Sequence, residues 1–282
     1  MTVTVVTGSS TGIGQATVLR LARDGHTVVA TMRTPAASNL PATAETEKLD
    51  IDVRALDVTD GDAVRETFEG VLRDHGRVDV LVNNAGVGGS GPVEDLELER
   101  YVDTMETNFF GALRCTKAVL PSMRERGSGC IVAVTSQSGR FAAPLMTPYC
   151  ASKFALEAAM EGLAMEVERL GIRVVIIEPG AILTPIWGKV DIRAPEGPYG
   201  HLIGRLGSIV MHDVARGSSA EEVADCIADA ITAHPPKLRW LVGQGAERNV
   251  RNRASWSDEE FIEVWNQPDD DGFMKSMLAG ET

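Results

Sequence analysis

The chain has 282 residues, with 27 Lys+Arg against 40 Asp+Glu and a net charge of −13. Its hydrophobic fraction of 44% is that of an ordinary globular protein with a sizeable core. The surplus of negative charge repels nucleic acid and anionic membrane surfaces at long range, and no basic run offsets it, so neither is an expected partner.

Strand-like and helix-like segments alternate from the start. Residues 2–7 form a β-branched run backed by Gly8, and residues 13–24 carry apolar side chains on one helical face. Residues 27–32 read as the next strand, 33–48 as a polar loop with Pro35 and Pro41 and room for one helical turn, 51–56 as a third strand and 60–75 as a helix. Asp60 is its expected N-cap and Gly76 its stop. A fourth strand spans 78–82. One helix is expected near Val93, and a second over 99–126. Then come a strand at 131–135, a long helix at 148–170 stopped by Gly171, and a strand at 172–177. Residues 180–218 read as a long irregular stretch, 220–233 as a helix and 238–242 as a seventh strand. A polar tail follows, with one helix at 258–265.

Strict β-α alternation implies a parallel sheet covered on both faces. Runs such as Val174-Val175-Ile176-Ile177 are apolar on consecutive residues, as strands buried on both sides must be. The fold expected is α/β: a Rossmann-type doubly wound sheet of seven mainly parallel strands with helices on both faces. Residues 1–244 form one catalytic domain, including a substrate loop at about 180–218, and 245–282 a C-terminal extension. Met1 runs straight into the first strand with no charged or long apolar leader, and Cys115, Cys130, Cys150 and Cys226 are widely spaced. Both point to thiols in a reducing cytoplasm. The five histidines lack metal-ligand spacing, and no metal is expected.

The first strand ends in Thr7-Gly8-Ser9-Ser10-Thr11-Gly12-Ile13-Gly14 and enters a helix directly. Glycines there allow a tight turn, and let backbone N–H groups approach a pyrophosphate at the positive end of the helix. Gly8, Ser10, Thr11, Gly12, Ile13 and Gly14 are therefore candidate cofactor contacts. The spacing is T-G-x-x-x-G-x-G rather than G-x-G-x-x-G. In this the chain resembles the short-chain dehydrogenase/reductase family, in its single-domain branch. Later motifs extend the resemblance over roughly residues 3–243.

The end of the second strand reads the adenosine ribose in dinucleotide folds. Here it is Ala30-Thr31-Met32-Arg33, with no acid and with a guanidinium suited to a 2′-phosphate, so NADP(H) is expected rather than NAD(H). Asp57 is either an adenine contact, as the resemblance implies for it and for Val58, or a helix N-terminal charge. Asn83-Asn84-Ala85-Gly86 follows the fourth strand. Asn83 reads as structural, while the resemblance makes Asn84, Ala85 and Gly86 part of the cofactor floor.

Tyr149 and Lys153 stand four apart near the start of a helix, hence on one face. A nearby ammonium favours phenolate over phenol, so the pair can exchange a proton with a substrate oxygen. Ser136, thirteen residues before Tyr149, ends the preceding strand and can donate to a developing alkoxide; Ser138 is the competing candidate. Asn108 sits mid-helix, where asparagine is a poor fit. The resemblance makes Ser136, Tyr149, Lys153 and Asn108 the catalytic set, with Asn108 holding a water that relays protons to the lysine and Tyr149 and Lys153 also touching the cofactor. It further implies that Pro179, Gly180, Ile182 and Thr184 pass over the nicotinamide. Glu178 departs from the family's usual pattern and has no evident role.

Residues 185–211 mix apolar side chains with glycine and proline. They read either as a mobile apolar lid over a lipophilic substrate or as loop residues packing on the core; Phe141, Met146 and Trp187 are candidate wall residues. The resemblance implies a homodimer or homotetramer paired through the helices at 99–126 and 148–170. The function expected is hydride transfer between NADP(H) and a carbonyl or secondary alcohol, a small molecule, with Tyr149 as general acid/base. A catalytically silent NADP(H)-binding sensor or scaffold is the alternative. It would need the glycine turn, but not Tyr149, Lys153, Ser136 and Asn108 together. A nucleotide-sugar epimerase would call for a differently spaced turn and a larger substrate domain.

Overall fold

The computed structural model describes residues 1–184 and 197–280. Seven strands form one sheet: β1 (Val3–Thr7), β2 (Thr27–Met32), β3 (Ile51–Ala55), β4 (Val80–Asn83), β5 (Gly129–Val134), β6 (Ile172–Pro179) and β7 (Arg239–Val242), in the order β3-β2-β1-β4-β5-β6-β7. Every neighbouring pair is parallel. The β-branched runs of β1, β2 and β4 are buried along their whole length, because both faces are covered.

One apolar cluster joins α3 (Gly61–His75), α5 (Gly111–Arg126) and α6 (Thr147–Val167) to the sheet, with Phe68, Val119, Met123 and Met160 in its centre. A second, on the opposite face, joins α1 (Gly12–Arg23) and α8 (Ala220–Thr232) through Val18, Leu21, Val223 and Ile227. Asp60 caps α3 by accepting from the N–H groups of Asp62 and Ala63, and Gly76 ends that helix at φ 77°. The strand order reverses between β1 and β4, which opens a crevice at their carboxyl ends where such sheets take ligands.

Several expectations are corrected. Residues 33–48 are not simply a loop but hold α2 (Leu40–Glu47). Pro41 lies in its first turn, where a missing N–H costs nothing, and Leu40 and Ala44 bury one short face. No helix begins at Val93; that side chain is exposed, the chain turns there, and α4 (Leu98–Met105) starts later. The long helix expected over 99–126 is interrupted by a π turn at Glu106–Phe110. The stretch at 180–218 contains α7 (Gly200–Ala215), and the tail carries α9 (Ala246–Ser255) and α11 (Asp270–Met277) beside the expected α10 (Asp258–Trp265).

These C-terminal helices and α7 build a third apolar cluster. Leu206, Ile209, Val264, Trp265, Phe273 and Met277 are buried in it, with Leu202, Ile203 and Val210 packed alongside. The apolar residues of the stretch therefore pack against the C-terminal helices. Met211 is the exception, largely exposed. Pro185, Ile186 and Trp187 lie outside the described residues. No described helix is long and apolar enough to cross a membrane.

Candidate active site

The glycine turn is pressed against β4. A Cβ on Gly8, which stands at φ +66°, would lie 2.6 Å from the Ala85 Cα, and one on Gly14 would lie 2.5 Å from Asn84 Nδ2 and collide with the Gly8 carbonyl. The Asn84 amide donates to the carbonyls of Thr7 (2.9 Å) and Gly8 (3.1 Å). The Thr7 hydroxyl in turn accepts from the N–H groups of Asn84 (3.0 Å) and Ala85 (3.1 Å). Ser9 is turned inward onto the Thr31 carbonyl, so Ser10 and Thr11 are the hydroxyls left facing outward. Thr11 is the N-cap of α1, yet its side chain caps nothing, and the first turn carries no acid. Ile13 is half-buried against Ala220 and Ala224. Asn83 is buried, its amide bonded to the Thr116 hydroxyl at 2.9 Å, which agrees with a structural role.

At the adenosine end, Arg33 is exposed just beyond β2. Burial raises the Asp57 carboxyl, but the bonds from the Thr59 N–H and hydroxyl and the nearby Arg33 charge outweigh it and hold the group below its ordinary range. Asp57 Oδ1 is engaged by Thr59 at 2.9 and 2.8 Å. The Val58 side chain is buried, against the position a Gly111 Cβ would take.

Three successive residues at the end of β5 hold three residues of α6 spaced four apart. Lys153 Nζ donates to the Val134 carbonyl at 2.9 Å, the Thr135 hydroxyl donates to Glu157 Oε1 at 2.7 Å, and Ser136 shares a hydrogen bond with the Tyr149 hydroxyl. Lys153 Nζ lies 5.7 Å from the centre of the Tyr149 ring. Ser138, the rival serine, bonds the Cys150 thiol instead. Gly86 lies between the two side chains expected to act together: a Cβ there would be 3.4 Å from Asn108 Oδ1 and 3.7 Å from Lys153 Nζ. The structure thus brings Ser136, Tyr149, Lys153 and Asn108 together at the mouth of the switch-point crevice.

Burial pushes the Tyr149 phenol up to about 12 despite the Ser136 bond, and pulls the Lys153 ammonium down to about 8 despite the Glu157 charge. Asn108, in the π turn, accepts from the Val87 N–H (2.8 Å) and donates to the Val87 carbonyl and Ser152 Oγ, both at 2.9 Å. Both amide hydrogens are committed, so the side chain braces the segment after Gly86.

At the end of β6, Pro179 is buried and Gly180 is so close to the Gln244 carbonyl that no side chain fits. Ile182 is buried beside Gly243, and Thr184 is half-buried at the end of the described segment. Sequence reasoning left Glu178 without a role. It is fully buried, accepts from Arg140 at 2.9 Å, lies 3.4 Å from Arg239 Nε, and keeps Oε2 without a partner.

Sequence reasoning missed Asp213, Arg248 and Asn249. Arg248 of α9 pairs with both oxygens of Asp213 on α7 at 2.8 and 2.7 Å. Asn249 Nδ2 donates to Oε1 of Gln137, the residue after Ser136, at 3.0 Å. Nothing local marks these contacts, which join segments far apart in the chain. Phe141 is buried edge-on against Phe261 of α10, and Met146 packs on the third cluster, so both wall candidates contact the α7 and C-terminal helix assembly. A cavity of about 650 Å³ between α6, α9 and α10, lined by Phe154, Arg253 and Phe261, does not reach the four clustered residues.

Residues 2–194 match the family model described as short chain dehydrogenase. The chain is 37% identical to bovine (Bos taurus) retinol dehydrogenase 8 over 83% of its own length and 79% of the relative's. Among solved structures, a short-chain dehydrogenase from Streptomyces avermitilis superposes with a TM-score of 0.81 at 34% identity, covering 94% of this chain and 97% of the other. An alcohol dehydrogenase from Thermococcus sibiricus, complexed with 5-hydroxy-NADP, superposes with a TM-score of 0.71 at 26% identity, covering 86% and 97%. The all-parallel sheet, the glycine turn locked to Asn84 and the cluster around Tyr149 find their explanation in this kinship: the chain belongs to the short-chain dehydrogenase family of oxidoreductases.

Proposed function

We propose that this chain is an NADP(H)-dependent oxidoreductase acting on a carbonyl or secondary alcohol, with Tyr149 as its general acid/base. The observation that carries the reading is the β5–α6 ladder, which sets Ser136, Tyr149 and Lys153 side by side at the crevice. The residues present fit a dinucleotide: a Cβ would fill the cradle at Gly8 and Gly14, the Thr11 hydroxyl is uncommitted as a cap, and the start of α1 carries no acid. Gly8, Ser10, Thr11, Gly12, Ile13 and Gly14 would hold the pyrophosphate. Arg33 would take the 2′-phosphate, with Asp57 and Val58 beside the adenine. Asn84, Ala85, Gly86, Tyr149, Lys153, Pro179, Gly180, Ile182 and Thr184 would surround the nicotinamide half.

The bound nicotinamide supplies the hydride in reduction and accepts it in oxidation. Tyr149 gives its proton to the substrate oxygen as the carbonyl is reduced, and Ser136 donates a hydrogen bond to the same oxygen. The Lys153 ammonium stabilises the phenolate left behind. Asn108 keeps the Gly86 segment in place against Lys153. The likeness to a retinol dehydrogenase supports a lipophilic substrate. Residues 1–244 act as the catalytic domain, and the extension from 245 supports the substrate side.

The chain works as a homodimer or homotetramer in the cytoplasm: Leu98, Val102 and Phe110 near α4, and Phe154 and Met165 on α6, are exposed apolar side chains on the helices expected to pair. The deciding experiment follows NADPH oxidation against a panel of ketones and aldehydes, with NADH in parallel. Turnover should prefer NADPH and should fall by about 10²–10⁴ in Tyr149→Phe, the usual span for a lost acid/base, with NADPH still bound. Binding of NADPH without turnover of any carbonyl would favour the silent sensor, and a clear preference for NADH would remove the role given to Arg33.

A further inference from the structure

The ionisable groups behind the ladder are arranged as one cluster. Glu157 lies one helical turn beyond Lys153 on α6, and the two rest on Thr135, just past β5, and on Val134, its last residue. Arg239 of β7 pairs with Glu157 Oε2 at 3.0 Å, lies 3.4 Å from Glu178 Oε1, and also pairs with Glu161. Arg140, from the turn after Ser136, pairs with Glu178. Glu157, Glu178 and Lys153 are all buried, and Gly139 fits so closely that a Cβ there would be 2.8 Å from Glu157 Cγ and 3.2 Å from the Lys153 carbonyl.

Two buried carboxylates, Glu157 and Glu178, thus face two guanidiniums, Arg140 and Arg239, with the half-exposed Glu161 at the rim and Lys153 one helical turn from Glu157. One of those carboxylates, Glu178, still holds a buried oxygen with no partner. Uncompensated charge is costly inside a protein, so each member of such a group constrains the ionisation of the others.

We propose that Glu157 is a positioning residue for Lys153: a buried counter-charge that keeps the lysine an ammonium beside Tyr149 and Gly86. This rests on the reading of Lys153 as part of the active site. Groups that face the lysine, its counter-charge or the ion pairs around them are Tyr149 and Glu161 on α6, Glu178 on β6, Arg239 on β7 and Arg140 on the turn. Burial alone favours the neutral amine, and the Glu157 charge opposes it. With Glu157 neutral, the ammonium would be lost at lower pH, and with it the charge that stabilises a phenolate.

The test reads the lysine itself, apart from turnover. Protein labelled with ¹³C at lysine Cε is titrated by NMR, with the Lys153 signal assigned by its absence in Lys153→Arg. Glu157→Gln keeps the volume and the bond from Thr135, and its Lys153 midpoint should fall by about one pH unit. Glu157→Asp, which keeps the charge, should stay closer to the wild type. Glu157→Met, neutral and of similar volume, should lower the midpoint in the same sense, and serves if Glu157→Gln does not fold. An unchanged or raised midpoint in a folded neutral variant overturns the proposal. A wild type that reduces no carbonyl would defeat the proposed function and leave this titration to be judged on its own result.

Discussion

Asn249 Nδ2 donates to Gln137 Oε1 at 3.0 Å, so a helix of the C-terminal segment grips the residue that follows Ser136. The grip is reinforced on the other side by the ion pair of Arg248 with Asp213, both buried, which ties α9 to α7. Gly245, at φ +76°, is what lets α9 begin so close to the Asp213 carboxylate. The tail is thereby part of the site's frame.

Asn249→Ala removes that grip without touching the glycine turn. The variant also removes the acceptor of two Arg248 bonds, and KM for the carbonyl substrate should rise roughly tenfold, the equivalent of ~1.4 kcal/mol. The Kd for NADPH, followed by fluorescence, should stay as it is. Steady-state kinetics that leave KM unmoved would show that the extension does not shape the substrate side.

Lys153 sets the expected pH dependence. Its ammonium is held down to about 8 by burial, against the Glu157 charge, so kcat/KM for carbonyl reduction should be level at neutral pH and decline above about pH 8. The stability consequence has the same origin. Between pH 8 and the ordinary lysine value of 10.5 the unfolded chain holds the proton that the folded chain has lost, so stability rises with pH across that window. The contribution is roughly 3 kcal/mol at 1.36 kcal/mol per unit. Urea unfolding of wild type relative to Lys153→Met, repeated from pH 7 to 10.5, should show the wild type gaining by that order. A difference that is flat or falling over this range would contradict the buried ammonium.

The motif residues were legible in the sequence because their reasons are local. A glycine that must accept positive φ, a four-residue helical spacing and a strand apolar on both faces are all readable within a few positions. Glu157 could have been found by the same spacing, one turn past Lys153. The α7 helix could have been found from Leu202, Leu206 and Ile209, although Gly200, Gly204 and Gly207 weaken its local signal. Arg248 and Asn249 could not, since their partners Asp213 and Gln137 are brought near only by the folded chain. The raised phenol of Tyr149 was equally out of reach: the helical spacing shows the ammonium beside it, but not the burial that outweighs the Ser136 bond.

Gly14 tests the cradle. An added methyl would meet the Gly8 carbonyl and Asn84 Nδ2, both fixed by the lock between the turn and β4. Gly14→Ala should cost about 1–3 kcal/mol in denaturant unfolding, as overpacking does, and weaken NADPH binding at least about tenfold by displacing amides that face the phosphates. Gly162 in α6 is the control, since a Cβ there meets nothing within 4 Å. Gly162→Ala should stabilise by about 0.5–1 kcal/mol, the ordinary gain of alanine over glycine in a helix. If both variants behaved alike, close approach would not be the reason for Gly14.

Phe273 decides whether the third cluster stands apart from the sheet. Its ring is fully buried, 5.0 Å from that of Trp265 and 5.3 Å from the Arg205 guanidinium. Arg205 in turn donates to the carbonyls of Trp265 (2.7 Å) and Gln267 (2.6 Å), so one side chain joins α7 to the link between α10 and α11. Phe273→Ala should therefore remove about 3–5 kcal/mol, the usual cost of emptying a buried aromatic site. The loss should fall on α7, α10 and α11, because the cluster is built from those helices with Ala143, Leu145 and Met146, and not from the strands. Hydrogen exchange should then show amides of these three helices opening early while β1, β4 and β5 keep their protection. If the strands lost protection by the same amount, the cluster and the sheet would be one cooperative unit, and the substrate side could not loosen without unfolding the cofactor side.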